Sequence, residues 1–224
     1  MPFTGFTDSD FEVFDIPDFS DRMRALKAAI TPKLQELGLA LAPRLSEAYG
    51  ITLYPHVAQH LRRSVNPPVA TWVAFAKEKR AYKPFVHLRA AITGDEFRCQ
   101  VFVEDYAEEK QQFGENLVRF AKPLSDYLVQ RPTIRSYTIV GPAGDPLSGK
   151  ALNRTALRGF GERMQRVKGQ HAIFGIAWSR SHPVIHSGPQ VMDALVDAAN
   201  ELLPVYMMGQ ERAEAAVYIK QLFG

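Results

Sequence analysis

The spacing of apolar residues changes near Leu53, and this change constrains the fold more than any other feature of the chain. Before it, apolar residues step by three or four, the period of one helical face: Met23, Leu26, Ile30, Leu34, Leu37 and Leu41. After it, the spacing approaches two and predicts β-strands at residues 71–76, 85–92 and 97–103. The chain should therefore begin with a helix, which Thr31-Pro32 breaks or kinks, and continue into a sheet.

The residues around position 94 predict a β-hairpin between the second and third strands. Thr93-Gly94-Asp95 supplies its turn residues. Because successive side chains of a strand point to opposite faces, one face of the second strand is apolar: Val86, Leu88, Ala90 and Ile92. The other face is mixed: Phe85, His87, Arg89 and Ala91. The sheet is therefore expected to have one apolar face and one mixed face.

Beyond the hairpin, helical and strand periods alternate. The predicted helices are 113–128, with an interruption near Pro123, and then 157–167, 189–202 and 210–222. Two further strands are predicted at 133–140 and 172–178. This order predicts an α+β fold, with a mostly antiparallel sheet of about five or six strands packed with helices from both chain ends. No repeat or long linker interrupts the chain, so residues 1–224 are expected to form a single domain.

Composition excludes several classes of protein. Apolar residues make up 46% of the chain and charged residues 23%, so a disordered or fibrous chain is excluded. No apolar run approaches the roughly 18 residues that a membrane span needs. The N-terminal region is acidic before Arg22 and lacks the apolar segment of a secretory signal. A cytoplasmic location without membrane contact is expected, and the oligomeric state is left open.

The single cysteine carries little functional signal. Cys99 has no second cysteine with which to form an internal disulfide. It lies in an apolar alternation, where a buried and inert thiol is expected rather than a nucleophile.

Charged residues are segregated along the chain, although the net charge is only +3. Residues 54–90 are basic, with Glu78 as their one acidic residue, residues 94–115 are mainly acidic, and residues 150–168 are again basic. Such a distribution can steer an anionic ligand toward the basic segments. Alternatively, the blocks pair with each other across the fold as ordinary solvated faces.

His56 and His60 are one candidate for a metal or catalytic pair, because a spacing of four keeps both imidazoles on one face of a helix or a strand. Zinc peptidases need a glutamate directly after the first histidine, and Val57 stands there. A metal site stays open if His87 or Asp105 supplies a third ligand. Without a carboxylate or thiolate nearby, a structural or general polar role is the better interpretation, and no metal is predicted.

Residues 144–150 match the spacing of a phosphate-binding loop, G-x-x-x-x-G-K, after a predicted strand. Ala151 replaces the serine or threonine whose hydroxyl would bind magnesium. Pro146 also removes one of the backbone N–H groups that would surround a phosphate. The segment is therefore expected to be an exposed, turn-rich loop.

The segment from position 56 to position 87 is the best candidate for a ligand site. Its Asn66-Pro67-Pro68 must leave helix and form an extended turn, which separates two groups of cations. Guanidinium, ammonium and imidazole groups suit phosphate or carboxylate recognition, and nearby aromatic residues such as Trp72 would suit base stacking. The predicted ligand-binding residues are His56, His60, Arg62, Arg63, Asn66, Lys79, Arg80 and His87. A solvated hairpin rim is the alternative interpretation.

The same segment resembles a known protein family. The matching residues are Pro55-His56-Val57-Ala58, His60, Arg62-Arg63, Val65-Asn66-Pro67-Pro68, residues 71–76, Lys79-Arg80, Tyr82-Lys83 and His87, with Phe11, Val13, Phe14 and Pro32-Lys33-Leu34 nearer the N-terminus. Together they resemble the YktB-like family of small cytoplasmic bacterial proteins, most densely over residues 6–90. The resemblance implies a compact α+β domain from a bacterium of the Firmicutes type. That family is a domain of unknown function without assigned site residues, so no role is carried over.

Three functions are compatible with these observations. The first is binding of an anionic ligand, a phosphorylated small molecule or nucleic acid, in a cleft lined by histidine, arginine and lysine. The alternative is a histidine-dependent hydrolase or phosphoesterase, for which the sequence shows neither a nucleophile nor a metal triad. The third is an interaction domain whose acidic block contacts a basic partner. The identity of any cofactor is left open, as is whether the protein is an enzyme.

Overall fold

The computed structural model describes residues 3–61 and 64–223. Its helices are Asp8–Glu12 (α1), Phe19–Ala25 (α2), Thr31–Tyr49 (α3), Lys110–Arg119 (α4), Ala121–Val129 (α5), Arg154–Arg166 (α6), Gly188–Tyr206 (α7) and Arg212–Phe223 (α8). Its strands are Tyr54–Val57 (β1), Ala70–Ala76 (β2), His87–Thr93 (β3), Glu96–Val103 (β4), Arg135–Val140 (β5), Pro146–Ser148 (β6) and Ala172–Ser179 (β7).

These elements form the α+β fold with a mostly antiparallel sheet that the sequence predicts. The described residues form 7 strands, slightly more than expected. The two additional strands are short: β1 has 4 residues and β6 has 3. Such segments contain too few alternating positions for a period of two to be recognised. Since β6 lies within residues 144–150, part of the predicted exposed loop is instead paired with β5.

The chain divides into two compact units. The first comprises Met1–Arg80, Arg89–Cys99 and Ala177–Asn200, and the second comprises Ala81–Leu88, Gln100–Ile176 and Glu201–Gly224. Strands β3, β4 and β7 each have some residues in the first unit and some in the second. The strand order of the sheet is β1-β2-β3-β4-β7-β5-β6. The single domain expected over residues 1–224 stays a prediction.

The interruption predicted at Thr31-Pro32 takes the form of a wide helical turn. A π-helical segment, Leu26–Ile30, separates α2 from α3. Pro32 has no N–H to donate to the preceding turn, and the first turn of a new helix is where a proline is tolerated. At its other end α3 stops at Gly50, whose φ of 66° is a left-handed conformation that glycine adopts readily.

Helix α3 covers one face of β1 and β2 in the first unit. The two strands are antiparallel, with Val57 opposite Val73 and His56 opposite Ala74. Gly38 allows close packing, because a Cβ at that position would lie 2.9 Å from Val73 Cγ2 and 3.0 Å from a Pro55 side-chain carbon. Residues that alternate with this covered set, including His56 and Trp72, therefore lie on the face opposite α3.

In the second unit, α4 and α6 cross at a pair of glycines. A Cβ on Gly161 would lie 2.7 Å from the Gly114 carbonyl oxygen, and one on Gly114 would lie 2.8 Å from that of Gly161. The helical interruption predicted near Pro123 occurs at Phe120, between α4 and α5. Pro123 thus falls in the first turn of α5, where its missing N–H costs least.

Two further expectations concern burial and length. Cys99 is buried at 4% exposure, and its burial raises the pKa of the thiol to about 12, so the expectation of an inert buried thiol agrees with its surroundings. Among the helices of the described residues, none combines the length and apolarity needed to cross a membrane.

Candidate functional site

Three side chains gather around Trp72 in the first unit. The imidazole of His60 is nearly perpendicular to the indole, with an interplanar angle of 85° and ring centroids 5.4 Å apart. The guanidinium carbon of Arg89 lies 4.4 Å from the centre of the indole, within the range of a cation–π interaction. His60 Nε2 also lies 3.1 Å from the hydroxyl oxygen of Thr71. We call His60, Thr71, Trp72 and Arg89 the indole cluster.

The backbone of His60 is unusual. Its φ of 51° is left-handed, and among the described residues no other non-glycine residue has a positive φ. This conformation costs roughly 1–2 kcal/mol for a residue with a Cβ. Such strain persists only where surrounding contacts impose it, and it is concentrated at functional sites. The contacts to Thr71 and Trp72 are among those that hold the His60 side chain in place.

The indole cluster contains groups of different accessibility. Trp72 and His60 are half-buried, so each presents part of its ring to solvent. Arg89 is 5% exposed and Thr71 is 2% exposed. Solvent therefore reaches the two rings, while the guanidinium beneath supplies positive charge from a largely buried position.

His56 points toward a different part of the first unit. Its Nε2 lies 2.9 Å from the carbonyl oxygen of Glu78, and because a carbonyl only accepts, this nitrogen donates the hydrogen bond. Lys79 and Arg80 follow directly and are exposed. We call residues 77–80 the basic turn. His56 thus connects β1 to the basic turn, at the carboxyl end of β2.

The predicted ligand-binding residues are distributed as follows. Trp72 and Ala76 are four residues apart on β2, roughly 13 Å, so the indole cluster and the basic turn lie toward opposite ends of that strand. Asn66 is exposed in the connection between β1 and β2. Arg62 and Arg63 lie outside the described residues. The common cleft stays a prediction.

His87 belongs to the second unit, where it forms part of an aromatic stack. It is fully buried at 0% exposure, and its Nδ1 donates to the carbonyl oxygen of Phe85 at 2.7 Å. Its ring lies 4.9 Å from that of Tyr82 and 5.8 Å from that of Phe102, and Phe102 stacks in turn on His171 at 6.0 Å. These contacts give His87 a packing role in this unit.

The sequence leaves a metal site open at His56 and His60. Within residues 3–61 and 64–223, no group of three histidine, cysteine, aspartate or glutamate side chains is placed to hold a metal ion. The hydrogen bonds of His56 and His60 to Glu78 and Thr71 instead give both imidazoles protein partners. His60 lies beyond the end of β1 at Val57, so the alternation of that strand does not extend to it.

Of the indole cluster, only His60 is among the ligand-binding residues predicted from the sequence. Trp72 enters that prediction only as a nearby aromatic residue suited to base stacking, and Arg89 and Thr71 are absent from it. The alternation of residues 85–92 already placed Arg89 on the mixed face, together with His87. That pattern could have identified it, because an arginine in the middle of a strand is rarely buried without a specific partner. Thr71 had no sequence signal, since threonine is common in strands for its shape alone.

Comparison with known proteins connects most of the chain to one family. Residues 6–206 match the family model described as a domain of unknown function (DUF1054). A UPF0637 protein of Shouchella clausii is 33% identical over 93% of this chain and 96% of its own length. UPF0637 proteins of Oceanobacillus iheyensis and Bacillus licheniformis are 30% and 34% identical, over 91% and 88% of this chain and 96% and 92% of their own lengths. The chain therefore belongs to the DUF1054 family of bacterial UPF0637 proteins, in agreement with its YktB-like sequence pattern.

Proposed function

We propose that the first unit binds an anionic ligand that carries an aromatic ring, either a phosphorylated small molecule such as a nucleotide or a single-stranded nucleic acid. The observation that carries this proposal is the contact of Trp72 with both His60 and Arg89. It brings a stacking surface, a hydrogen-bonding ring and a positive charge together at one position.

The chemistry of the indole cluster suits the aromatic part of such a ligand. Every nucleobase has a π-face, and stacking on an aromatic side chain is worth about 1–3 kcal/mol per base. Arg89 holds the Trp72 ring through the cation–π contact and adds positive charge beside it. The imidazole of His60, nearly perpendicular to the indole, adds a polar ring at the same position.

The basic turn suits the phosphate groups. Lys79 and Arg80 are exposed and carry two positive charges beside the hydrogen bond from His56 to Glu78. A ligand that contacts both Trp72 and this turn must span at least the roughly 13 Å between Trp72 and the end of β2. This length favours a nucleotide with several phosphates, or several linked nucleotides, over a nucleoside monophosphate. A cytoplasmic location, expected from the sequence, is part of the proposal.

The hydrolase alternative has one observation in its favour and one against it. The contact of His60 Nε2 with the Thr71 hydroxyl, at 3.1 Å, resembles a general base beside a nucleophile. Thr71 is only 2% exposed, however, and a nucleophile must meet its substrate. This burial favours a role for the hydrogen bond in positioning His60, and it makes binding the better supported function.

Tryptophan fluorescence provides a direct test. The chain has 2 tryptophans, so Trp178→Phe leaves Trp72 as the only indole reporter. We expect adenosine triphosphate and a single-stranded oligonucleotide to quench its emission, and uncharged adenosine to do so far more weakly. For the oligonucleotide, affinity should fall steeply with salt, with a slope of roughly 0.7 per phosphate contact. A shared response to both charged probes supports the proposal, and the tighter one identifies the ligand class.

Matched variants separate specific binding from general charge. In the Trp178→Phe background, His60→Gln and the pair Lys79→Gln with Arg80→Gln should each weaken binding at least tenfold. Lys27→Gln removes an exposed cation from the same unit and should leave the affinity unchanged. If neither charged probe changes the fluorescence, or if the Lys27 variant binds as weakly as the others, the proposal is wrong.

A further inference from the structure

A groove between helices of the second unit contains polar groups that the fold does not use. It lies along α4, α6 and the start of α8 and has a volume of about 480 Å³, within the size range of small-molecule sites. Its polar lining consists of Gln112, Glu115, Asn116, Arg119, Gln165 and Arg212. We call it the α4–α8 groove.

Two arginines provide the cationic part of this groove. Arg119 is in the last turn of α4, and Arg212 is the first residue of α8. Both are exposed, and neither forms an ion pair with an acidic side chain of any described residue. Their guanidinium groups therefore stay available for a carboxylate or phosphate, which arginine binds with two parallel hydrogen bonds.

Asn116 provides an acceptor from a buried position. The residue is 1% exposed, and its Nδ2 donates to the carbonyl oxygens of Met208 and Gln210, both at 3.0 Å. These two bonds fix the orientation of the amide. No described residue donates to its Oδ1, although Asn116 lines the groove. This oxygen is not among the buried polar atoms without a partner, so solvent reaches it in the groove. A ligand that donates a hydrogen bond there would replace that water.

Glu115 adds a negative charge at the same place. Its carboxylate accepts a hydrogen bond from the side-chain amide of Gln111 at 2.9 Å and is otherwise exposed. A simple anion such as phosphate would be repelled by this carboxylate. A ligand with both an anionic and an ammonium group would satisfy all four residues.

We propose that the α4–α8 groove binds a free amino acid, with its carboxylate at Arg119 and Arg212 and its ammonium group at Glu115 and Asn116. The neighbouring groove of about 530 Å³ differs in this respect. There, the Lys110 ammonium donates hydrogen bonds to the carbonyl oxygens of Asp105, Val167 and Lys168, at 3.0, 2.7 and 2.8 Å. This cation is therefore already bonded within the protein. In the α4–α8 groove, by contrast, the guanidinium groups of Arg119 and Arg212 can bind a ligand.

Thermal unfolding of the full chain tests the proposal. Each common L-amino acid, added singly in millimolar excess, is compared with inorganic phosphate, and ligands that raise the Tm are titrated by calorimetry. We expect at least one amino acid to bind, and its N-acetylated and decarboxylated analogues to bind at least tenfold more weakly. If no amino acid binds, or if phosphate binds as well as the best amino acid, the proposal is overturned.

Variants locate the binding in the groove. Arg212→Gln and Glu115→Gln should each weaken amino-acid binding roughly tenfold or more, because each removes one charged partner. Arg154→Gln is the matched control for Arg212→Gln, since Arg154 is the exposed first residue of α6 and does not line this groove. Equal affinities for the wild type and the Arg212 variant would place the ligand elsewhere and refute the assignment.

Discussion

Replacing Gly161 by alanine should destabilise the protein, whereas the same replacement at Gly159 should stabilise it. Both glycines lie inside α6, and in an open environment alanine is favoured over glycine in a helix by about 1 kcal/mol. A Cβ on Gly159 would meet no atom within 4 Å. A Cβ on Gly161 would lie 2.7 Å from the Gly114 carbonyl oxygen and 3.0 Å from carbon atoms of Leu117 and Val118.

The magnitude follows from the nature of these contacts. A carbonyl oxygen belongs to the backbone of α4 and cannot rotate away, so the two helices must separate by several tenths of an ångström. Overpacking costs about 1–3 kcal/mol, and because backbone atoms must move here, the upper part of that range, about 2–3 kcal/mol, applies. After subtraction of the helical preference for alanine, Gly161→Ala should destabilise by roughly 1–2 kcal/mol. Because the preference is the same in both variants, the difference between them isolates the cost of the contact, about 2–3 kcal/mol.

Urea denaturation followed by circular dichroism measures this difference. In thermal unfolding, each 1 kcal/mol should shift the Tm by about 2–4 °C for a chain of this size. The reciprocal variant Gly114→Ala, with its Cβ 2.8 Å from the Gly161 carbonyl oxygen, should behave like Gly161→Ala. If Gly161→Ala and Gly159→Ala have the same stability within 0.5 kcal/mol, the close approach of α4 and α6 is refuted.

Three further predictions concern other parts of the chain. In urea denaturation, His60→Gly should be more stable than His60→Ala by about 1 kcal/mol. Both variants lose the imidazole, but only glycine adopts the left-handed backbone conformation without strain. Equal stabilities would contradict the strain at position 60. Lys33→Met should reduce the free energy of unfolding by about 3 kcal/mol, because Lys33 Nζ lies 2.5 Å from a carboxylate oxygen of Asp10, whose side chain is 4% exposed. Lys27→Met, at an exposed position, should change it by less than about 0.5 kcal/mol. Similar losses in both variants would refute the importance of the Lys33–Asp10 pair. Burial raises the pKa of Tyr218 to about 12, above the usual tyrosine value of about 10, so the unfolded chain releases this proton at lower pH than the folded chain. In an alkaline denaturation series, the free energy of unfolding should therefore fall between about pH 10 and 12. The fall should be smaller in Tyr218→Phe.

Local periodicity allowed much of the fold to be predicted. The run of leucines in α3 repeats with the helical period, and the five longer strands repeat with a period near two, so short-range spacing identified both. The hairpin at Thr93-Gly94-Asp95 followed from turn chemistry. Strands β1 and β6 were missed because 4 and 3 residues are too few for a period.

The candidate site could be predicted only in part. The segment from His56 to Arg80 contains Trp72, His60 and the basic turn, and its composition alone marked it as cationic and aromatic. The contact between Trp72 and Arg89 depends on which strands are neighbours, and no sequence signal indicated the strand order. His87 entered the prediction by its position in the sequence, whereas its side chain is packed in an aromatic stack of the second unit.

By itself, the sequence determined the α+β class, the family and the order of most helices and strands, because these depend on residues that are neighbours along the chain. Only the tertiary structure decided that Gly114 and Gly161 touch and that Arg119 and Arg212 line one groove. These partners lie tens of residues apart in the chain. Their contacts arise from the crossing of helices, which depends on the shape of every side chain between them and leaves no periodic signal in the sequence.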